Sequence, residues 1–192
     1  MDDELAKGMW DYVDAMNRRG GSVYGRPKYA KDIVERSTAE DFAEGLRARC
    51  GIDIRHIESR EPNEPDIRAQ MGDRFVAIEL TELTDGPHNS AIAKFLRPDR
   101  ASWTRDKVMS ELKRLITEKR VKRRRAGIAA DALLIHTDEP HLTSEMIDGA
   151  LEEHGEKPCE WIRSAHLLVS SGVKVGGAWP VFRIFGDLGL NQ

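Results

Sequence analysis

Apolar positions along the chain recur with two different periods. Leu5, Met9, Tyr12, Val13 and Met16 lie at helical spacing, which predicts a helix over residues 4–17. Residues 18–29 are broken by Gly20, Gly21, Gly25 and Pro27 and read as a loop. Ser37-Thr38-Ala39-Glu40 has the Ser-x-x-Glu form of a capping box, and Ala39, Phe42, Ala43, Leu46 and Cys50 then repeat with helical period up to a stop at Gly51. Residues 52–57 alternate like a strand. After a loop punctuated by Pro62 and Pro65, residues 66–70 and 75–80 read as two strands joined by a Gly72-Asp73 turn. Val108, Leu112, Leu115 and Ile116 stripe a long helix beginning near Ser102 or Thr104 and ending about Arg124. Residues 132–136, 165–169 and 181–185 are dense apolar runs of the kind found in buried strands, with a helix over 144–153 between the first two. This order predicts an α/β fold, with a mixed central sheet flanked by helices.

A chain of 192 residues suits a single domain with a sizeable core. Residues 1–36 form its N-terminal helix and basic loop extension, 37–136 its core, and 137–192 the strands that complete the sheet. Hydrophobic residues make up 40% and charged residues 33%, a folded, charge-rich composition rather than a disordered one. No apolar run approaches the roughly 20 residues of a membrane span, so no membrane partner is expected. The acidic start, Met1-Asp2-Asp3-Glu4, lacks the pattern of a secretory signal. Cys50 and Cys159 are the only cysteines, which excludes a disulfide scaffold and a cysteine-only zinc site. A reducing cytoplasm is the expected location.

Charge changes the picture more than composition does. The net charge is only −3, yet residues 91–125 hold thirteen Lys or Arg against Asp99, Asp106, Glu111 and Glu118. A second basic stretch, from Arg18 and Arg19 through Arg26 and Lys28 to Lys31, contains no acid. Such asymmetry points to a polyanionic partner.

The stretch that carries chemistry is Glu64-Pro65-Asp66-Ile67, followed by Val76-Ala77-Ile78-Glu79-Leu80-Thr81-Glu82. A proline sets an acid at the start of one strand, and thirteen residues later a second acid interrupts the next. If the strands pair through the Gly72 turn, Asp66 and Glu79 come close. Two close carboxylates repel unless a cation or proton intervenes, and oxygen ligands suit Mg²⁺ or Mn²⁺. Glu82 shares no strand face with Glu79 and is expected outward or in a loop. Lys119 lies on the same helical face as Leu112, Leu115 and Ile116. An ammonium aimed along a core-facing stripe is costly without a partner, and Asp66 and Glu79 would provide one. Lys122, one turn on, is placed to share that role.

This order of elements and acids resembles the PD-(D/E)XK nuclease superfamily, over roughly residues 38–136. The resemblance implies a restriction-endonuclease-like core and metal-dependent hydrolysis of nucleic acid phosphodiesters. It implies Mg²⁺ or Mn²⁺ held by Asp66, Glu79 and the carbonyl of Leu80. It also implies a first-helix acid, Glu40, with Glu44 as the competing choice. The motif lysine position is Thr81, which supplies no charge, so Lys119 is the candidate to replace it and completes a catalytic set with Asp66 and Glu79. Lys113, Lys122, Arg123, Arg124 and Arg125 are the candidate nucleic-acid contacts. DNA is favoured over RNA, and a homodimer stays open. The alternative from another class is an inactive nuclease-fold protein that binds nucleic acid or a protein partner.

Overall fold

The computed structural model describes residues 28–84, 103–139, 141–171 and 174–188. The expected helix over residues 4–17 and residues 18–27 of the expected loop lie outside the described residues. The elements follow in the order α1 (Lys28–Cys50), β1 (Ile54–Ser59), β2 (Ile67–Met71), β3 (Arg74–Glu82), α2 (Arg105–Ala126), β4 (Ala130–Thr137), α3 (Ser144–Glu152), β5 (Ile162–Val169) and β6 (Val181–Phe185). They build one α/β domain on a six-stranded mixed sheet of order β1-β2-β3-β4-β5-β6. The β3–β4 and β4–β5 pairs are parallel and the remaining pairs antiparallel.

Two apolar layers explain why the middle strands read as continuous apolar runs. On one face Ala39, Phe42 and Leu46 of α1 pack against Ile67, Ile78, Leu80 and Leu134. On the other, Val108, Leu112, Leu115 and Ile116 of α2 and Ile147 of α3 pack against Leu133, Ile135, Ala165 and Leu167. Strands β3, β4 and β5 are therefore covered on both sides, as parallel pairs require. No helix among the described residues is long and apolar enough to cross a membrane.

The structure of α2 matches its sequence pattern closely: Thr104 caps it by accepting from the Lys107 amide, and Gly127 closes it with a φ of 67°. Gly51 closes α1 in the same left-handed conformation, its N–H donating to the Arg47 carbonyl at 3.1 Å. The start of α1 differs from expectation. The capping box at Ser37 is not used; the helix already runs from Lys28, so a boundary at residue 36 falls inside it. Ser and Thr cost a helix interior roughly a few tenths of a kcal/mol relative to better helix formers, which pairing across the site offsets. Lys31–Glu35 at 3.1 Å, just before it, and Arg36–Glu40 at 3.9 Å, spanning it, are such pairs.

The β2–β3 hairpin fixes the site. Gly72 has a φ of 60°, which the first central position of a tight two-residue turn demands. The register ends by pairing Ile67 with Ile78, which leaves Asp66 just before the ladder with its side chain accepting from the Leu80 amide.

One core side chain gives the fold a pH dependence. His166 on β5 is buried with its ring 5.3 Å from that of Phe42, and neither ring nitrogen has a hydrogen-bond partner among the described residues. Burial, aided by the Arg183 charge, lowers its pKa from 6.5 to about 4. Between those values the unfolded chain takes up a proton that the folded chain refuses, so stability falls as pH falls from 6.5 towards 4. The full loss from this one group is about 3 kcal/mol. His166→Phe keeps a ring against Phe42 and is expected to flatten the decline of Tm between pH 6.5 and 4. Parallel Tm profiles for the two proteins would show that His166 does not titrate this way.

Candidate active site

Glu79 enters from the middle of a strand whose neighbours Ile78 and Leu80 face α1, so its own side chain faces α2. It is fully buried. Its Oε1 accepts from Lys119 at 2.8 Å and from Lys122 at 2.7 Å. Its Oε2 lies 3.4 Å from Nε of the fully buried Arg123 but accepts no hydrogen bond from the described residues. Burial by itself pushes the Glu79 carboxyl up, but the Lys119 and Lys122 ammoniums outweigh that and hold it below the usual carboxylate range. Lys119 also donates to the Leu80 carbonyl at 2.5 Å. Lys119 therefore stands on the side of α2 that its apolar stripe predicts, with 15% of its side chain exposed.

Asp66 sits where the β1–β2 loop becomes β2. Its Oδ2 accepts the Leu80 amide at 2.7 Å, and its Oδ1 lies 4.0 Å from the Lys31 ammonium of α1. Lys31 also pairs with Glu35. Burial first, and then the charge of Asp66, raise the Glu35 carboxyl above its ordinary pKa, while Lys31 only partly opposes this. Glu35, Asp66, Leu80, Thr81, Lys119, Lys122 and His136 all line one cleft of about 150 Å³. The His136 pKa is lowered to about 4 by burial and by the Lys119 charge, so its ring is neutral at physiological pH.

Several expected residues stand elsewhere. Glu40 does not line the cleft; its side chain is 60% exposed and pairs with Arg36. Glu44 pairs with Lys174. The first-helix acid of the cleft is Glu35, one turn before the apolar stripe begins at Ala39. Placing the helix start at Ser37 hid it. Glu82 is on the opposite strand face from Glu79, as alternation requires, but it lines the cleft at the end of β3 rather than turning outward.

The expected phosphate contacts also divide. Lys122 lines the cleft, and Arg124 and Arg125 are exposed at the end of α2. Arg123 is not a surface cation: fully buried, it donates to the Asn63 carbonyl at 3.2 Å and faces Glu79. Lys113 stands nine residues before Lys122, half a turn out of phase with it, and its charge acts on His154 instead. Other cations of α2 are engaged in ion pairs, among them Arg105 with Glu153, Arg114 with Glu111 and Glu118, and Arg120 with Glu156.

Comparisons with family models, with curated proteins and with solved structures each return no match, so the site stands on its own geometry.

The placement of Arg123 yields a stability difference within one basic run. Arg123→Met leaves the Asn63 carbonyl without its guanidinium and removes one buried counter-charge from Glu79. Because Lys119 and Lys122 remain, the expected loss is roughly 3 kcal/mol, the low end for breaking a buried ion pair. Arg124→Gln, on the exposed side, is expected to change stability by no more than about 0.5 kcal/mol. Urea unfolding of both variants tests this, and equal losses would contradict the buried role.

Proposed function

We propose that this chain is a metal-dependent nuclease-like protein with a restriction-endonuclease-like core, acting on polynucleotide phosphodiesters. The observation that carries the reading is one convergence: Lys119 of α2 meets Glu79 and the Leu80 carbonyl, while Asp66 is hydrogen-bonded to the amide of that same Leu80. The helix, three-strand, helix, strand order supports the same reading.

The donors present fit a hard divalent cation. Glu35, Asp66, Glu79 and the Leu80 carbonyl would offer it oxygen donors. Glu35 and Asp66 repel each other across the cleft with Lys31 between them, and Glu79 Oε2 is a buried oxygen without a hydrogen-bond donor among the described residues. No group of three His, Cys, Asp or Glu side chains is arranged for a metal among the described residues. Mg²⁺ commonly takes only one or two carboxylates, with water and substrate phosphate as its other ligands. When bound, such an ion supplies a Lewis acid for the phosphate and a lowered pKa for water.

The chain's own groups do the remaining work. Lys119 neutralises charge that develops on the phosphate in the transition state, held on its mark by Glu79 and Leu80. Lys122, on the cleft rim, meets a non-attacked phosphate oxygen. Glu35, with its raised pKa, is the carboxylate best poised to take a proton from water. Hydrolysis then forms one P–O bond from water and breaks the bond to the sugar oxygen.

A second reading has its own support. Thr81 stands at the motif lysine position, and the two lysines that reach the site from α2 hold Glu79 itself. On that reading the protein binds polynucleotide without cleaving it.

Labelled DNA and RNA incubated with Mn²⁺ separate the two. Wild type is expected to cleave at least one of them. Asp66→Asn is expected to abolish cleavage, and Lys119→Met to lower it by at least ~10²-fold while leaving folding intact. No cleavage of any substrate, with binding retained in a chelating buffer, would decide for the second reading.

Binding itself is expected to weaken steeply with salt. Replacing Lys122, Arg124 and Arg125 together by Gln is expected to reduce the slope of log affinity against log salt by about one for each phosphate that is no longer neutralised. An unchanged slope would remove this end of α2 from the interface.

A further inference from the structure

Glu79 has more cations than its charge requires. One carboxylate is met by Lys119, Lys122 and Arg123, which leaves two positive charges over. Two of the three are fixed by second partners, Lys119 by the Leu80 carbonyl and Arg123 by the Asn63 carbonyl. Lys122 differs: its ammonium donates to Glu79 Oε1, and 49% of its side chain is exposed. It also lines two spaces at once, the cleft with Asp66 and Glu35, and the neighbouring groove with Asn63, Thr117, Val121 and Arg125. A half-exposed ammonium on a long, flexible stem, shared between a site and the groove beside it, has a second place to go.

We infer that Lys122 is an exchangeable guard of Glu79: it shares Oε1 with Lys119 in the free protein and transfers to a phosphate of a bound polynucleotide, leaving a single ammonium on that oxygen and easing the approach of a divalent cation. This rests on the metal-dependent reading above. The physical reason is competition. A divalent cation approaching Glu79 Oε1 meets the Lys119 and Lys122 ammoniums on the same oxygen, and like charges that close oppose each other strongly in a partly buried site. A phosphate near the rim draws the Lys122 ammonium away and eases the opposition. Cation and polynucleotide must then bind with positive coupling, and the coupling must be reciprocal. Lys119 cannot play this part, because its second bond to Leu80 and its burial keep it in place.

Calorimetric titration with Mn²⁺ tests the inference, with and without an uncleavable phosphorothioate oligonucleotide. In wild type the oligonucleotide is expected to tighten Mn²⁺ binding roughly tenfold. Lys122→Gln removes the guard while Lys119 and Arg123 still neutralise Glu79, so the variant is expected to fold. It should bind Mn²⁺ roughly tenfold more tightly than wild type without oligonucleotide, and gain little more when oligonucleotide is added. Arg47→Gln removes a positive charge about three turns along α1 from Glu35 and is expected to leave Mn²⁺ affinity unchanged. Mn²⁺ binding that is the same in wild type and Lys122→Gln overturns the guard while sparing the metal reading. Equal tightening in Lys122→Gln and Arg47→Gln also overturns it, since any lost charge would then serve. No Mn²⁺ binding in any of the proteins overturns the metal reading and this inference together.

Discussion

A carboxylate taken fully out of water must find counter-charge or give up its own, and Glu79 is where this protein meets that constraint. Its solution ties three parts of the chain to one point. Strand β3 supplies the acid, α2 supplies Lys119, Lys122 and Arg123, and the β1–β2 loop is reached through the Asn63 carbonyl that Arg123 holds. The spacing within α2 follows from this. Residues 119, 122 and 123 are three and four apart, the separations that bring side chains to one helical face. A buried arrangement of this kind gives little net stability, since desolvation consumes most of the attraction. Its value lies in holding the ammoniums and the acid in one geometry.

The sheet sets where that geometry opens to solvent. Thr81, Glu82 and His136 lie at the carboxyl ends of the parallel strands β3 and β4, the end at which open α/β sheets commonly form their crevices. The antiparallel β2–β3 hairpin brings Asp66 to the same end, because its ladder ends at the Ile67–Ile78 pair, immediately after Asp66. The two acids then diverge. Asp66 turns to the Leu80 amide and Lys31, and Glu79 turns to α2. The cleft thus has an acid-rich wall from α1 and β2 and a cation-rich wall from α2. On the proposed reading, a phosphodiester, anionic and able to bridge a cation to an ammonium, is complementary to both.

Much of this was legible in the sequence. The α/β order, the Gly72 hairpin and the stripe of α2 follow from periodicity and turn chemistry, and they account for Lys119 meeting Glu79; Asp66, expected to share that ammonium, bonds the Leu80 amide and lies near Lys31 instead. Two features were not legible, for different reasons. The start of α1 was hidden because Ser37-Thr38-Ala39-Glu40 satisfies a cap pattern that a continuous helix also tolerates, and the choice between them depends on ion pairs such as Lys31–Glu35 further upstream. With the start misplaced, Glu35 fell outside the helix. Arg123 was hidden because a run of four cations, Lys122 to Arg125, gives no local sign of which one turns inward. That is decided by a carbonyl sixty residues earlier in the chain, at Asn63.

The fate of the basic residues shows why a charge count and an interface differ. The excess of cations over residues 91–125 reads as a polyanion surface, yet ion pairs engage Arg105, Arg114 and Arg120 with acids from α2 itself and from the 153–156 segment. Local excess in sequence becomes local balance in space wherever acids distant in the chain return to it. Among the described residues of α2, the charge that stays available includes that of Arg124 and Arg125 at the exposed helix end, and the two charges left over around Glu79. These lie towards the C-terminal end of α2, beside the cleft and its adjoining groove. On the proposed nuclease-like reading, a displaced motif lysine fits the same logic. An ammonium's long stem lets it reach a strand-borne acid from a neighbouring helix as well as from the strand itself. Its chemical role depends on where the charge is held, and Glu79 with the Leu80 carbonyl holds it whichever element supplies the stem.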